Sequence, residues 1–202
     1  MCMPGSPKPT RCGPPAAWRC SRSRVVGSSH QNRSSGANAV ALQCPIRVAT
    51  GEMYDTVGQF FTLAAGGGVN IFQPEPMSLG GITNTLAVAH LAQAHGSWIA
   101  PHQSGGPVAT AVCLQLAACV PNFLIQEHFD AFNPPWVRDL VTWHPHLDPV
   151  NGHLSLPDAP GLGLDIDMEV ARAHPYDPQA YLNIYQEGWE KRLGQTTETV
   201  TP

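Results

Sequence analysis

No aspartate or glutamate precedes Glu52, so the first quarter of this 202-residue chain offers no carboxylate side chain to a metal ion or a proton-transfer site. Charged residues are sparse at 13% and the formal net charge is −4, which leaves no broad basic surface for nucleic acid. Long apolar runs are also missing. The longest, Gly106 to Val120, is rich in small residues and stops short of the roughly 20 needed to cross a bilayer, so no membrane span is expected. The six cysteines (Cys2, Cys12, Cys20, Cys44, Cys113, Cys119) contain no C-x-x-C pair, which argues against a zinc ribbon or a thioredoxin-like site. Cys113 and Cys119 fall in an apolar helical stretch and are expected to act as small buried hydrophobes in a reducing, cytoplasmic setting. What remains suits a small-molecule protein: 43% hydrophobic residues support a sizeable core, in a chain shorter than the roughly 250 residues of a complete eightfold barrel.

Composition divides the chain. Residues 1–36 carry Pro4, Pro7, Pro9, Pro14 and Pro15 followed by Arg- and Ser-rich sequence, and are expected to form a disordered tail. Arg, Ser and the lack of acids resemble a mitochondrial transit peptide, but the prolines oppose an amphipathic helix there. An unstructured extension is the simpler reading. Residues 37–166 alternate short apolar runs with helical patterns, as βα units do. Residues 167–202 form a tail expected to be partly helical, with Tyr181, Tyr185 and Trp189 at helical spacing.

Within the central segment, strands are predicted at Ile46 to Thr50, Val69 to Phe72, Trp98 to Ala100 and Asn122 to Ile125. The helices between them present Val57, Phe60, Phe61 and Ala64, then Ile82, Leu86 and Ala89, then Pro107, Ala111, Leu114 and Ala118. One ionisable residue follows each strand: Glu52, Glu75, His102 and Glu127. Their separations are 75 − 52 = 23, 102 − 75 = 27 and 127 − 102 = 25, one per βα unit. Side chains at the carboxyl ends of parallel strands gather at one rim, where active sites of such barrels lie.

The motifs that carry these residues are Ala49-Thr50-Gly51-Glu52, Gln73-Pro74-Glu75 through Gly80-Gly81, Ala100-Pro101-His102, Phe123 to Glu127, and Pro160-Gly161-Leu162-Gly163. Together, over about Pro45 to Ile166, they resemble the last four βα units of the enolase superfamily barrel, in its mandelate racemase/muconate lactonizing enzyme branch, closest to galactonate dehydratase-like acid-sugar dehydratases. The resemblance implies an α/β fold, a partial (β/α) barrel without the N-terminal cap domain. It also implies a lyase: a Mg²⁺-dependent dehydratase that removes the proton α to a sugar-acid carboxylate and eliminates water. A racemase or epimerase is the alternative within the family, and a catalytically inactive fragment, or a partner of a full-length paralogue or of a second copy, the alternative outside it.

The same resemblance assigns roles. Glu52 matches a carboxylate ligand of Mg²⁺, a hard cation that prefers oxygen donors. His102 matches a general acid or base, a role that suits an imidazole near neutral pH. Glu75 stands where the family has an aspartate paired with that histidine, and its extra methylene is expected to lengthen or re-aim the bond to His102. Glu127 matches a carboxylate that hydrogen-bonds the substrate or its enolate. Taken singly, each acid reads as well as a helix cap or a partner for a basic residue, although Lys and Arg are scarce between Glu52 and Glu127. Most of the nine histidines, among them His90, His95, His144 and His146, read as surface or boundary residues. Gly66-Gly67-Gly68 lacks the spacing of a phosphate-cradling loop. The catalytic lysine motif and two further metal ligands of the family have no counterpart in these 202 residues.

Overall fold

A computed structural model describes residues 30–130, 133–142 and 147–177, with side chains from Ser34 onward. The helix that opens it, α1 (His30–Gln43), is followed by β1 (Ala49–Thr50), α2 (Val57–Ala65), β2 (Ile71–Phe72), α3 (Ile82–Ala94), β3 (Trp98–Ile99), α4 (Pro107–Cys119), a single 3-10 turn (Pro135–Arg138) and α5 (Met168–Ala173). The three strands pair in parallel in the order β1-β2-β3, with Ala49 opposite Ile71 and Ile71 opposite Trp98. A fourth is reduced to a parallel bridge between Ile99 and Phe123. This is an α/β fold with a small parallel sheet joined by helices, as the repeating pattern predicts.

Each strand is shorter than the apolar run that signals it. Pro74 and Pro101 lack the N–H that would continue the ladder. Hydrogen bonding runs on just past each strand, through Gln73 N–H to Thr50 O at 2.9 Å, Ala100 N–H to Phe72 O at 3.0 Å and His102 N–H to Pro74 O at 3.0 Å. These bonds hold the rim residues in the register of the sheet.

Helix faces differ from expectation. In α2 a capping box joins Thr56 and Gln59, and the buried residues are Phe60, Leu63 and Ala64, whereas Phe61 is 62% exposed. The face is centred on Phe60, and Phe61 lies about 100° around the helix from it. In α3 the buried set is Thr85, Val88, Ala89 and Ala92, and Ile82 is exposed. A threonine fits that interior because its hydroxyl bonds Gly81 O one turn back at 2.9 Å, so no polar group is stranded. In α4 nearly every residue from Pro107 to Leu116 is buried, but Ala118 and Cys119 are exposed; only Cys113 behaves as the expected buried thiol.

Two apolar clusters result. The larger joins α2, α3 and the sheet through Phe60, Leu63, Phe72, Leu79, Val88 and Ile99. In the second, Leu147, Val141, Leu162 and Leu164 of the returning chain pack on Ala111 and Leu114 of α4. The Pro160–Gly163 motif therefore packs within the chain, through Leu162.

The boundary drawn at Gly36 falls inside α1, at the seventh residue of that helix. Buried Asn38 explains why: its side-chain amide donates to Ser34 O and Leu63 O, both at 3.0 Å, and its Oδ1 accepts from Gly68 N–H at 2.8 Å and Val69 N–H at 3.0 Å. A Cβ at Gly68 would lie 2.5 Å from Asn38 O, so the triglycine serves close backbone approach to α1. The rest of the proline-rich tail, along with His144, His146, Tyr181, Tyr185 and Trp189, lies outside the described residues. No helix among the described residues is long and apolar enough to cross a membrane.

Candidate functional site

The four strand-end residues converge as the spacing predicts. Gly51, at φ +133°, turns the chain at the end of β1, where a Cβ would lie 2.6 Å from the Phe60 ring, and puts Glu52 at the rim with its side chain half exposed. Glu75 lies between buried Pro74 and Pro76, and its Oε1 accepts from Met77 N–H at 3.1 Å. His102 follows β3 and is largely buried; Glu127 follows the Phe123 bridge and stays partly exposed.

The imidazole is the centre of the group. Its Nδ1 lies 2.8 Å from Glu75 Oε2. Its Nε2 lies 3.4 Å from Glu52 Oε2 and 3.7 Å from Glu127 Oε2. The longer side chain of Glu75 does not lengthen the bond: the Met77 N–H holds one carboxylate oxygen and leaves the other aimed at the ring. With Nδ1–H donating to Glu75, the tautomer is set and Nε2 is the atom turned to the two more exposed acids.

Burial lowers the affinity of the His102 ring for a proton, but the hydrogen bond to Glu75 and the charges of Glu127, Glu52 and Glu75 outweigh it, so its pKa is raised above the ordinary 6.5. Close to the His102 backbone, burial pushes the Cys113 thiol up to about 12, with the charge of Glu75 adding to it. That thiol stays protonated and donates to His102 O at 4.0 Å, a packing role.

A pH dependence of stability follows. Because folding raises the His102 pKa, its contribution is fully present below the unfolded value and is lost as pH rises through the higher folded value. The unfolding free energy of the wild type relative to His102→Gln is therefore expected to fall as pH rises above the ordinary value of 6.5, read from denaturation midpoints across a pH series. A gap that widens with pH would contradict the arrangement.

For a divalent cation the donor set is incomplete. Among the described residues no group of three His, Cys, Asp or Glu side chains is placed to hold a metal ion. Glu52 offers one carboxylate, whereas Mg²⁺ is generally bound by one or two carboxylates plus substrate oxygens.

Two polar residues close to His102 in the fold, Gln103 and Asp130, escape a reading of the sequence. Gln103 is fully buried directly after His102, and Asp130 accepts hydrogen bonds from Gln103, Thr110 and Asn133. Their partners lie up to 27 residues away, beyond any local pattern.

Comparison with known proteins identifies the family. The family model described as "Enolase C-terminal domain-like" matches residues 29–170. D-xylonate dehydratase of Haloferax volcanii is 34% identical over 128 residues, 63% of this chain and 30% of that protein. D-gluconate/D-galactonate dehydratase of Picrophilus torridus is 31% identical over 142 residues, 70% of this chain and 36% of that protein. Among solved structures, a mandelate racemase/muconate lactonizing enzyme from Jannaschia sp. CCS1 superposes with a TM-score of 0.64 at 35% identity, covering 73% of this chain and 36% of that one. The chain thus spans about a third of the length of these proteins.

Proposed function

Because the chain belongs to the enolase C-terminal domain-like family, we propose that it carries the proton-transfer side of an acid-sugar dehydratase site. The observation that carries this reading is the His102 imidazole, fixed through Nδ1 by Glu75 and presenting Nε2 to Glu52 and Glu127 at the ends of parallel strands. Curated relatives that act on xylonate, gluconate and galactonate support a sugar acid as substrate.

A base from outside the described residues takes the proton α to the substrate carboxylate and the C–H electron pair forms an enediolate; as that enediolate collapses, its electron pair enters the new C=C bond and the β C–O bond breaks. Protonated at Nε2, His102 gives its proton to the departing β-hydroxyl, which leaves as water. The resulting enol tautomerises to a 2-keto-3-deoxy acid. Glu75 keeps the ring oriented and stabilises its charged form before the transfer. Glu127 hydrogen-bonds the substrate beside the His102 ring and fixes its orientation there. A bound Mg²⁺ would supply charge stabilisation at the substrate carboxylate. Glu52 would be one of its ligands, and its other donors have to come from outside the described residues.

That shortfall favours a second reading, a chain that works only with a second copy or a complete paralogue that supplies those donors. One assay separates the two. Purified chain in Mg²⁺ is given xylonate, gluconate, galactonate and other sugar acids, alone and mixed with a full-length relative inactivated at its own histidine. Release of 2-keto-3-deoxy acid by the chain alone is the expected result for a self-sufficient enzyme; release only from the mixture supports the pairing. Folded chain that yields no product in either arm overturns the dehydratase proposal.

A further inference from the structure

Gln103 is completely buried, and every polar atom of its side chain is engaged. Its Nε2 donates to Thr110 Oγ1 at 2.8 Å, Gly105 O at 3.1 Å, Asp130 Oδ1 at 3.2 Å and Gly106 O at 3.3 Å. Its Oε1 accepts from Phe129 N–H at 2.9 Å, and its own backbone N–H donates to Glu127 Oε2 at 3.3 Å. The amide has one sensible orientation. Reversed, it would set oxygen against two carbonyls and a carboxylate, and nitrogen against an N–H.

These bonds close a loop in space. Position 103 touches Glu127 through its backbone and Phe129, two residues further on, through its side chain, while the preceding residue is the catalytic candidate His102. Asp130 anchors the far side, accepting from Thr110 Oγ1 at 3.0 Å and from Asn133 Nδ2 at 3.3 Å. Glu127 is only partly covered, and the Gln103 N–H is the donor that holds the same oxygen which faces His102 Nε2. A flexible, partly exposed carboxylate has many rotamers, and fixing one of them needs a fixed donor.

We propose that Gln103 is a positioning residue, its buried amide tying the loop after β3 to the loop after Phe123 and so holding the Glu127 carboxylate beside the His102 imidazole. The inference rests on Glu127 being part of the site, and the test keeps the two claims apart. Residue-resolved amide hydrogen exchange on the full chain reads the backbone N–H of position 103, which survives side-chain substitution and reports whether the carboxylate is still in place. Protection is normalised to the Phe60 amide in the core, so that a general loss of stability cancels.

Glu127→Ala is expected to lower normalised protection at position 103 by about tenfold. Gln103→Met, which keeps the volume and loses the amide, is expected to lower it by a similar factor and to strip protection from the Phe129 N–H as well. Should that variant fail to fold, Gln103→Asn retains a buried amide, withdrawn by about one C–C bond length, and is expected to act in the same direction. Asn122→Ala removes another buried amide, one that bonds Ala89 O and Ser97 O, and is expected to leave the ratio unchanged. If Glu127→Ala lowers protection and neither Gln103 variant does, the positioning role is overturned while the site stands. If Asn122→Ala lowers the ratio equally, the effect is general loosening and the positioning role is again overturned. If Glu127→Ala has no effect, the carboxylate is not where the site requires it, and both claims fall.

Discussion

His102→Ala is expected to lower sugar-acid dehydration by about 10²–10⁴-fold, the usual contribution of a positioned acid or base, in whichever assembly of the chain shows turnover. The loss is expected in kcat rather than KM, because the proton moves in the transition state and the ring is not the group that binds the substrate carboxylate. Geometry makes His102 the critical position. It alone touches the other three strand-end residues, through Nδ1 to Glu75 at 2.8 Å and through Nε2 to Glu52 at 3.4 Å and Glu127 at 3.7 Å. Steady-state kinetics by detection of the keto product check the prediction. Turnover within threefold of wild type would remove His102 from the chemistry and take the dehydratase mechanism with it.

The ring of four was legible because barrel architecture converts a one-dimensional period into a spatial cluster. One ionisable residue per βα unit, at intervals of 23, 27 and 25, is a signal that survives errors of a few residues in strand limits. Glu75 shows where such reading stops. Side-chain length alone argued for a stretched bond, but the backbone N–H of Met77 takes up one oxygen and sets the other at hydrogen-bonding distance. Helix faces were less legible. Apolar identity suggested that Phe61 and Ile82 face inward, yet the buried face of α3 uses Thr85, whose hydroxyl is satisfied by its own helix. Asn38, Gln103 and Asp130 were not legible at all. Each makes hydrogen bonds to partners 20 to 31 residues away, so nothing in the local pattern marks them.

Phe60→Ala is expected to cost about 3–5 kcal/mol of stability, the range for emptying a fully buried aromatic position. The ring is inaccessible to solvent, meets Tyr54 edge-on at 5.2 Å and lies 5.8 Å from the Phe72 ring, so little can move in to fill the space. Stability of small domains is commonly 5–15 kcal/mol. A sheet of three two-residue strands with an open edge belongs near the lower limit, and the substitution is expected to leave much of the protein unfolded at room temperature. Phe61→Ala, one residue away on the exposed side of the same helix, is expected to stay within about 0.5 kcal/mol of wild type. Urea denaturation of both variants reads the difference directly, and equal effects would mean that the face of α2 is misassigned. The consequence reaches the rim. Gly51 turns against the Phe60 ring, so the packing that stabilises the core also sets the turn that carries Glu52. A milder variant, Phe60→Leu, is therefore expected to remain folded and yet disturb the Glu52–His102 contact, and the signature to measure is a change in the chemical shift of the His102 ring without loss of the helical circular dichroism signal.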